Sequence, residues 1–364
     1  NMGYIKSLRL KNRLFKVKEY GVGWAYERIL ARVASKYDDI TYPKPILNCV
    51  YVEITTYCNL HCKGCSRTNS IEKHTWHGGT ETNWNNQHMS VEEFTEIVNG
   101  IPPIRLVRLF GIGEPTMHPS LPELIAIAHS KRKFMEISIT TNLVTRNMEY
   151  YSSLFTNGLT DLHISLDTLD QDIADEVRRG TDVKKLQNNL GEINELHPGR
   201  CLISMRVGRK NYQDIENTLK ELDSTVNMPV HISYLGDRGD PDGCLSLKEQ
   251  VQVRYHLLTK VSSFKNINVH VADPIPRKTG PCPSSRSPFV TVDGYLTPCP
   301  VLTDKNIVNF GSLYKKSYNE ILCVSNKQKW ERRWEESETK GPPSECYLCP
   351  HSMDTYLMGR GEKI

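Results

Sequence analysis

The chain alternates short apolar segments with amphipathic ones from about residue 46 onward. The apolar segments are rich in β-branched residues, and several are almost continuously apolar, which is typical of strands in a buried parallel sheet. The pattern predicts six strands, at 46–55, 105–112, 135–141, 161–167, 201–207 and 229–235.

The segments between these strands have the apolar spacing of helices. Ser90 is followed three residues later by Glu93, a capping box that marks the start of a helix. The other helical patterns span 120–133, 148–158, 183–197, 215–224 and 246–264. Strand–helix units in series predict an α/β fold with a parallel sheet and right-handed crossovers, either curved into a partial barrel or left open.

Two regions depart from this alternation. Residues 66–89 form a long polar segment with Trp76 and Trp84, which is either a loop that covers the substrate or a surface insertion. From about residue 274 the proline content rises and cysteines return, so a separate C-terminal module is expected. We therefore predict a helical arm at 1–45, a main domain at 46–273 and a C-terminal domain at 274–364.

The composition limits the partners of the chain. Of its 364 residues 38% are hydrophobic and 24% are charged, and the net charge of +4 is spread along the sequence. Without a dominant basic block, nucleic acid is not expected as a partner. The chain has neither an apolar run of about 18 residues for a membrane span nor the apolar core of a signal peptide, so we expect a cytoplasmic protein without membrane contact.

Eleven cysteines are many for such a chain, and clustered cysteines without a secretion signal indicate metal binding. Cys58, Cys62 and Cys65 directly follow the first predicted strand with the spacing C-x3-C-x2-C. Active sites of parallel α/β folds lie in such loops. A zinc knuckle would need a fourth ligand such as His61, whereas three thiolates on an iron–sulfur cluster leave one iron open. The open position favours chemistry over a purely structural site.

This cysteine motif resembles that of the radical S-adenosylmethionine superfamily, and Tyr57 and His61 occupy its aromatic positions. The resemblance implies a partial (β/α)6 TIM-like barrel and a [4Fe–4S] cluster on the three cysteines. It also implies that S-adenosylmethionine chelates the fourth iron through its amino and carboxyl groups. One electron, delivered by a flavodoxin- or ferredoxin-type donor, then cleaves the sulfonium to a 5′-deoxyadenosyl radical that abstracts hydrogen from a substrate.

Further family motifs follow at strand ends. Gly111-Ile112-Gly113-Glu114-Pro115 resembles the glycine–glycine–glutamate–proline segment of the family, with Ile112 displacing one glycine, and it lacks the third glycine of a dinucleotide loop. The resemblance implies these cofactor-binding residues: Tyr57, Gly113, Glu114, Asn142, Ser165 and Arg179. Arg178 is an alternative to Arg179, and Thr140, Thr141 and Asp167 are further polar residues at strand ends, where ordinary caps or turns are the alternative interpretation.

The late cysteines Cys282, Cys299, Cys346 and Cys349 supply four thiolates, which suit zinc or an iron–sulfur cluster. Their arrangement resembles the twitch or SPASM module of many radical enzymes and implies one auxiliary [4Fe–4S] cluster, fully ligated by cysteine. Full ligation leaves no open iron, so we expect this cluster to relay an electron. Cys323 lies on an apolar helical face and is expected to be a core thiol.

The substrate is less evident from the sequence. Known twitch-type enzymes act on small polyols and aminoglycosides or on ribosomally made peptides, and the peptide modifiers often carry a leader-recognition domain of about 80 residues. Since residues 1–45 leave little room for such a domain, we expect a small polar substrate (a sugar, aminocyclitol or nucleoside-like molecule) that is dehydrogenated or epimerised. A peptide or protein maturase and a non-catalytic metal-binding scaffold are the alternatives.

Epimerisation needs a hydrogen donor, typically a thiol. Cys244, in the polar loop after the sixth predicted strand, is our candidate for this catalytic role, with an incidental thiol as the alternative. Arg206 and either Asp237 or Arg238 are candidates to bind hydroxyls or a phosphate of the substrate.

Overall fold

The computed structural model describes residues 49–73, 86–101, 104–131, 134–236, 240–274, 288–306, 308–317 and 320–321. Several predictions fall outside these residues: the arm at 1–45, the side chains of Trp76 and Trp84, the substrate candidates Asp237 and Arg238, and Cys282, Cys323, Cys346 and Cys349.

The described strands form one sheet in the order β10-β9-β8-β1-β2-β3-β4-β5-β6-β7. Seven of them run parallel along the chain: β1 (Cys49–Val52), β2 (Ile104–Leu109), β3 (Phe134–Thr141), β4 (Asp161–Ser165), β5 (Cys201–Val207), β6 (Pro229–Tyr234) and β7 (Asn268–Val271). The six predicted strands are confirmed. The sequence pattern missed β7, a four-residue strand in which Val271 alone is fully buried.

A small C-terminal hairpin extends the sheet beyond β1. The strand β8 (Phe289–Val290) pairs parallel with β1, and β9 (Tyr295–Thr297) and β10 (Gly311–Ser312) follow in antiparallel pairing. Because β7 and β10 are the two ends of the strand order, the sheet is open over the described residues, as expected of a partial barrel.

Eight α-helices are described: α1 (Ser66–Lys73), α2 (Val91–Gly100), α3 (Leu121–Ser130), α4 (Met148–Thr156), α5 (Gln171–Val177), α6 (Val183–Leu196), α7 (Ile215–Thr225) and α8 (Leu247–Lys260). The capping box at Ser90 and Glu93 begins α2 as predicted. The sequence pattern missed α1 and the short α5. No described helix is long and apolar enough to cross a membrane.

The residues of the parallel strands alternate between two faces. Along β2, Val107 and Leu109 are fully buried and belong to the hydrophobic core with the helices, whereas the intervening Arg108 lines a cavity. We call these the outer and the inner face of the sheet. The predicted parallel sheet is confirmed, and its inner face carries charged and hydroxyl side chains among the apolar ones.

The expectation of a loop throughout 66–89 was wrong for its first eight residues. Residues 66–73 form α1. Residues 86–89 return beside the extension of β1, where Met89 N donates to Ile54 O at 2.9 Å and Thr56 N donates to Gln87 O at 3.1 Å. Residues 74–85 lie outside the described part of the chain.

Candidate active site

The cysteine motif lies at the carboxyl end of β1. Cys58, Cys62 and Cys65 are free thiols, each partly exposed. Leu60 N contacts Cys58 Sγ at 3.5 Å, and Cys65 N donates to Cys62 O at 3.2 Å before α1 begins at Ser66. The motif is therefore a tight loop that presents three sulfurs at the edge of the sheet where the parallel strands end.

The segment that follows α5 holds this cysteine loop in shape. His61 N donates to Arg179 O at 3.0 Å, and Arg179 Nε donates back to His61 O at 2.8 Å. Lys63 N donates to Val177 O at 3.2 Å. Arg179 thus supports the loop, and its predicted contact with the cofactor carboxylate remains a prediction.

Arg178, the alternative to Arg179, lies inside the molecule beside the thiols. Its Nη1 is 3.2 Å from Asp167 Oδ2, and both side chains are about seven-eighths buried. Asp167 Oδ1 also accepts from Arg206 N at 2.7 Å, which fixes the carboxylate against β5. Although burial alone would lower the pKa of Arg178, the nearby Asp167 carboxylate and Cys62 raise it, so a permanent cation faces the cysteine loop.

Burial raises the pKa of Cys62 to about 12 and that of Cys58 to about 11. Arg178 counteracts this effect at Cys62. Because thiolates are the ligands of iron, metal binding must release these protons, and a neighbouring cation favours the release.

The donor set fits a [4Fe–4S] cluster. Such a cluster takes each thiolate on a different iron, so three thiols spaced along one loop suit it.

Gly113 brings the GIGEP segment against the cysteine loop. A Cβ at this position would lie 2.4 Å from Thr55 O and 2.6 Å from Tyr57 O, so only glycine allows the approach. Glu114 N donates to Tyr57 O at 2.8 Å, and the Tyr57 ring stacks on His88 with centroids 4.4 Å apart. The predicted neighbours Tyr57, Gly113 and Glu114 are thus brought together.

Glu114 and Asn142 are also brought together. The buried Glu114 carboxylate accepts from Thr116 Oγ1 at 2.6 Å through Oε1 and from Asn142 N at 2.8 Å through Oε2. Asn142 Nδ2 donates to Asn59 Oδ1 at 2.8 Å, within the cysteine loop. Burial raises the pKa of Glu114 despite these bonds. The ends of β2 and β3 and the cysteine loop therefore form one connected polar unit.

A cavity of about 470 Å³ opens on this edge of the sheet. Its volume lies within the range of about 300–1,000 Å³ that is usual for small-molecule sites. Among the predicted site residues, those lining it are Cys62, Cys65, Thr140, Ser165, Asp167, Arg178 and Arg206.

Among the lining residues that sequence reasoning missed are Tyr51, Arg108 and His163. Each follows or precedes a buried apolar residue on its strand. The alternation of apolar and polar positions could have identified them, because it places these side chains on the inner face.

Cys244 does not join the cavity. Its side chain is buried, with 2% exposure, and its thiol donates to Asp240 O at 3.6 Å. The neighbouring Asp240 and Gly243 line the cavity, but Cys244 does not. The geometry therefore gives no support to the predicted role of Cys244 as a hydrogen donor.

Cys299 is the late cysteine within the described residues. It follows β9, and Leu302 N contacts its Sγ at 3.4 Å. The next two residues, Pro300 and Val301, line the cavity together with Phe289 of β8. The C-terminal segment therefore forms part of the cavity wall.

Glu53 fastens this C-terminal segment to the barrel. Its buried carboxylate accepts from Ile112 N at 3.0 Å and from Val292 N at 3.3 Å. Burial raises the pKa of Glu53 to about 7, although these two backbone bonds oppose the shift.

Comparison with known proteins agrees with this geometry. Residues 52–222 match the family model of the radical SAM superfamily, and residues 282–350 match that of the SPASM iron–sulfur cluster-binding domain. SuiB of Streptococcus suis has a similar structure, with a TM-score of 0.64 and 15% identity over 86% of this chain and 72% of SuiB. The structure of anSMEcpe with bound AdoMet has a TM-score of 0.60 at 15% identity, over 83% of this chain and 88% of that protein.

Among curated proteins, the GTP 3′,8-cyclase of Alkaliphilus oremlandii is 27% identical over 199 residues. The match covers 52% of this chain and 56% of the cyclase, so the chain spans about half the length of that relative. Two family models and the geometry of the cysteine loop lead to one conclusion. The chain belongs to the radical S-adenosylmethionine superfamily and carries a C-terminal SPASM iron–sulfur domain.

Proposed function

We propose that this radical S-adenosylmethionine enzyme removes a hydrogen atom from a small polar substrate and completes its dehydrogenation or epimerisation. One observation carries the proposal. A single cavity of about 470 Å³ is lined both by Cys62 and Cys65 of the cysteine loop and by the polar inner face of the barrel. A small substrate in this cavity lies beside the cluster ligands.

In this proposal Cys58, Cys62 and Cys65 hold the cluster, while Gly113, Glu114, Asn142 and Ser165 bind S-adenosylmethionine. When bound, the reduced cluster and S-adenosylmethionine supply the 5′-deoxyadenosyl radical that abstracts hydrogen. Glu114 and Asn142 are held by bonds to each other and to neighbouring residues, so both are pre-organised before any ligand arrives. Arg179 positions the loop through its two bonds to His61.

The lining of the cavity supports a polar substrate. Thr140, Ser165 and Ser204 offer hydroxyl groups, and charged side chains stand among them. Such groups recognise hydroxyls and anions. The name of the curated relative, GTP 3′,8-cyclase, indicates a nucleotide substrate for that protein, which is consistent with a small polar molecule here.

Of the two outcomes we favour dehydrogenation. The cysteines that line the cavity among the described residues are Cys62 and Cys65, both assigned to the cluster, and Cys244 is buried elsewhere. A carbinol that has lost a hydrogen atom must still lose the hydroxyl proton and one electron to become a ketone. The carboxylate of Asp240 lines the cavity and offers a proton acceptor, and Cys299 of the auxiliary module directly precedes the cavity wall.

A peptide substrate is the second candidate. SuiB has also been solved with its precursor peptide SuiA, and anSMEcpe has been solved with AdoMet and a peptide. Both resemble this chain in fold, with TM-scores of 0.63 and 0.60. The same cavity would then receive one side chain of the peptide.

The first experiment tests the radical activity itself. The protein is reconstituted with iron and sulfide without oxygen, reduced with dithionite and incubated with S-adenosylmethionine. We expect 5′-deoxyadenosine and methionine, and an iron content of about eight per chain for two [4Fe–4S] clusters. Absence of both products from protein with a full iron content would contradict the proposal.

The second experiment separates the outcomes. Two pools of candidate substrates are tested separately: deuterated metabolites from a cell extract and deuterated synthetic peptides. Transfer of deuterium from the substrate to 5′-deoxyadenosine identifies the pool that contains it. Once the substrate is known, Cys244→Ala is compared with the wild type. If the product is two hydrogens lighter than the substrate and Cys244→Ala forms it as fast as the wild type, the reaction is a dehydrogenation. If the wild-type product has the mass of the substrate and Cys244→Ala no longer forms it, the reaction is an epimerisation with Cys244 as hydrogen donor.

A further inference from the structure

The cavity carries an excess of positive charge. Among its described lining residues are five cations, which are Lys63, Arg108, Arg178, Arg206 and Lys210, and two carboxylates, Asp167 and Asp240. Asp167 is already paired with Arg178, and Lys210 pairs outside the lining with Glu176 at 2.6 Å. Clefts with one sign of charge and low-dielectric walls concentrate ligands of the opposite sign.

Arg108 is the cation that the fold prepares most fully. It projects from β2 on the inner face, between the buried Val107 and Leu109. Its Nε donates to Ser138 Oγ on the neighbouring β3 at 3.0 Å, and Ser138 is itself buried. Its Nη2 lies 3.3 Å from His163 Nε2 on β4. The guanidinium is therefore held by two strands in addition to its own.

His163 acts as an acceptor in this contact. A guanidinium has five donors and no acceptor, so Nε2 of His163 must be the unprotonated nitrogen. A neutral acceptor orients Arg108 without neutralising its charge.

Three N–H groups of Arg108 remain after these two bonds, and no carboxylate among the described residues pairs with them. The Tyr51 ring contributes a face at 5.7 Å from the guanidinium carbon. Arg105, three residues earlier on the same strand, shows the opposite situation, because it is exposed and pairs with Glu136 at 3.6 Å. An oriented arginine with free donors inside a cavity suits the fork-like recognition of an oxyanion.

We infer that Arg108, held by Ser138 and His163, binds an anionic group of the substrate, a carboxylate or a phosphate, on the inner face of the barrel. The inference deepens the proposed function, on which it rests, by naming the charge class of the molecule that enters this cavity. Arg206 stands in the same lining on β5, where its Nη1 donates to Ser233 Oγ at 2.5 Å, and provides a second cation for the same ligand.

Binding of simple anions tests this assignment without turnover. The reconstituted, oxidised protein is saturated with S-adenosylmethionine, so that positions binding the cofactor carboxylate are filled. Equilibrium dialysis then measures the affinity for radiolabelled inorganic phosphate, and competition by malonate compares a carboxylate source. The variants are Arg108→Met and Arg108→Lys, and Arg105→Met is the matched control from the opposite face of the same strand.

We expect Arg108→Met to weaken phosphate binding about ten- to a hundredfold, because hydrogen bonds between charged groups are strong ones. Arg108→Lys should lose less, because it keeps the charge but not the fork. Arg105→Met should match the wild type. In the wild type, unlabelled malonate and unlabelled phosphate are compared as competitors of radiolabelled phosphate. If malonate competes at the lower concentration, the site prefers a carboxylate, and if unlabelled phosphate does, the site prefers a phosphate.

Equal affinity of the wild type and both Arg108 variants would overturn the inference, as would a wild-type protein that binds neither anion. Iron content and circular dichroism establish that each variant is folded, and if Arg108→Met fails this test, Arg108→Lys decides. The radical assay on the same preparations separates the two proposals. If 5′-deoxyadenosine forms but the Arg108 variants bind anions as the wild type does, only the anion site is refuted. If anion binding depends on Arg108 but no 5′-deoxyadenosine forms, only the radical function is refuted.

Discussion

The two faces of the parallel sheet carry opposite kinds of side chain, although they belong to the same strands. On the outer face Leu109, Ile139, Ile164 and Ile203 have no exposure and join the core beneath the helices. On the inner face their neighbours line the cavity with charged and hydroxyl groups: Arg108, Thr140, His163, Ser165, Ser204 and Arg206.

This difference separates stability from chemistry within single strands. Burial of an apolar side chain stabilises the fold by about 1.5–3 kcal/mol, and the outer face gathers those residues. The inner face mixes apolar and aromatic side chains with charged and hydroxyl groups that line one cavity. Parallel sheets that are covered on both sides have apolar residues on both, so the polar inner face is the mark of a site. Substitutions should therefore affect stability on one face and ligands on the other.

The largest effect is expected where the inner face meets the cysteine loop. Cys62→Ala should abolish 5′-deoxyadenosine formation, with a loss of at least about a thousandfold, because an iron loses its thiolate. Cys201→Ala is the matched control, since Cys201 is a buried free cysteine of β5 outside the cavity. Product chromatography should show cleavage of S-adenosylmethionine by Cys201→Ala and none by Cys62→Ala. Equal cleavage by both variants would contradict the different roles of the two faces.

The next effect concerns the outer face. Leu109→Ala should lower the free energy of unfolding by about 2–5 kcal/mol, since it leaves a cavity in a well-packed core. Ser204→Ala, on the inner face of β5, should change stability by less than about 0.5 kcal/mol. Denaturant unfolding under anaerobic conditions measures both. A large loss in Ser204→Ala would show that the inner face is packed like a core.

A pH-dependent effect is expected at Glu53, where the barrel meets the C-terminal hairpin. Burial raises the pKa of Glu53 from 4.5 to about 7. The folded state therefore binds the carboxyl proton of Glu53 more tightly than the unfolded state does. The resulting contribution to the free energy of unfolding is complete below about pH 4.5 and is lost as the pH rises through 7. The loss should be on the order of 3 kcal/mol.

Glu53→Gln cannot ionise and should lack this part of the pH dependence. Unfolding curves of both proteins between pH 4.5 and 8 give the difference in free energy, which should shift in favour of the variant as the pH rises. Parallel curves for the two proteins would show that Glu53 keeps an ordinary pKa in the folded state.

The smallest effect is expected at Arg105, an exposed residue paired with Glu136. Surface ion pairs contribute about 0–1 kcal/mol, so Arg105→Met should leave both stability and substrate turnover nearly unchanged. Arg108→Met makes the same substitution on the inner face of the strand, and should raise the Michaelis constant because substrate binding is weakened. Thermal unfolding together with the Michaelis constant would sharpen the comparison, and an equal rise in that constant for both variants would contradict it.

Much of this arrangement was predictable because it is local in sequence. The cysteine spacing, the capping box at Ser90 and the strand ends at Glu114 and Asn142 all depend on neighbouring residues. The burial of Cys244 was not predictable, because it follows a short 3-10 turn at Pro241–Gly243 and its thiol donates to the backbone of Asp240. The role of Arg108 was missed for a similar reason, since it depends on Ser138 and His163, which come from two other strands.

The bonds between His61 and Arg179 join residues 118 positions apart in the chain. The cysteine loop therefore cannot take this shape on a growing polypeptide until four strands and α5 have been made and folded.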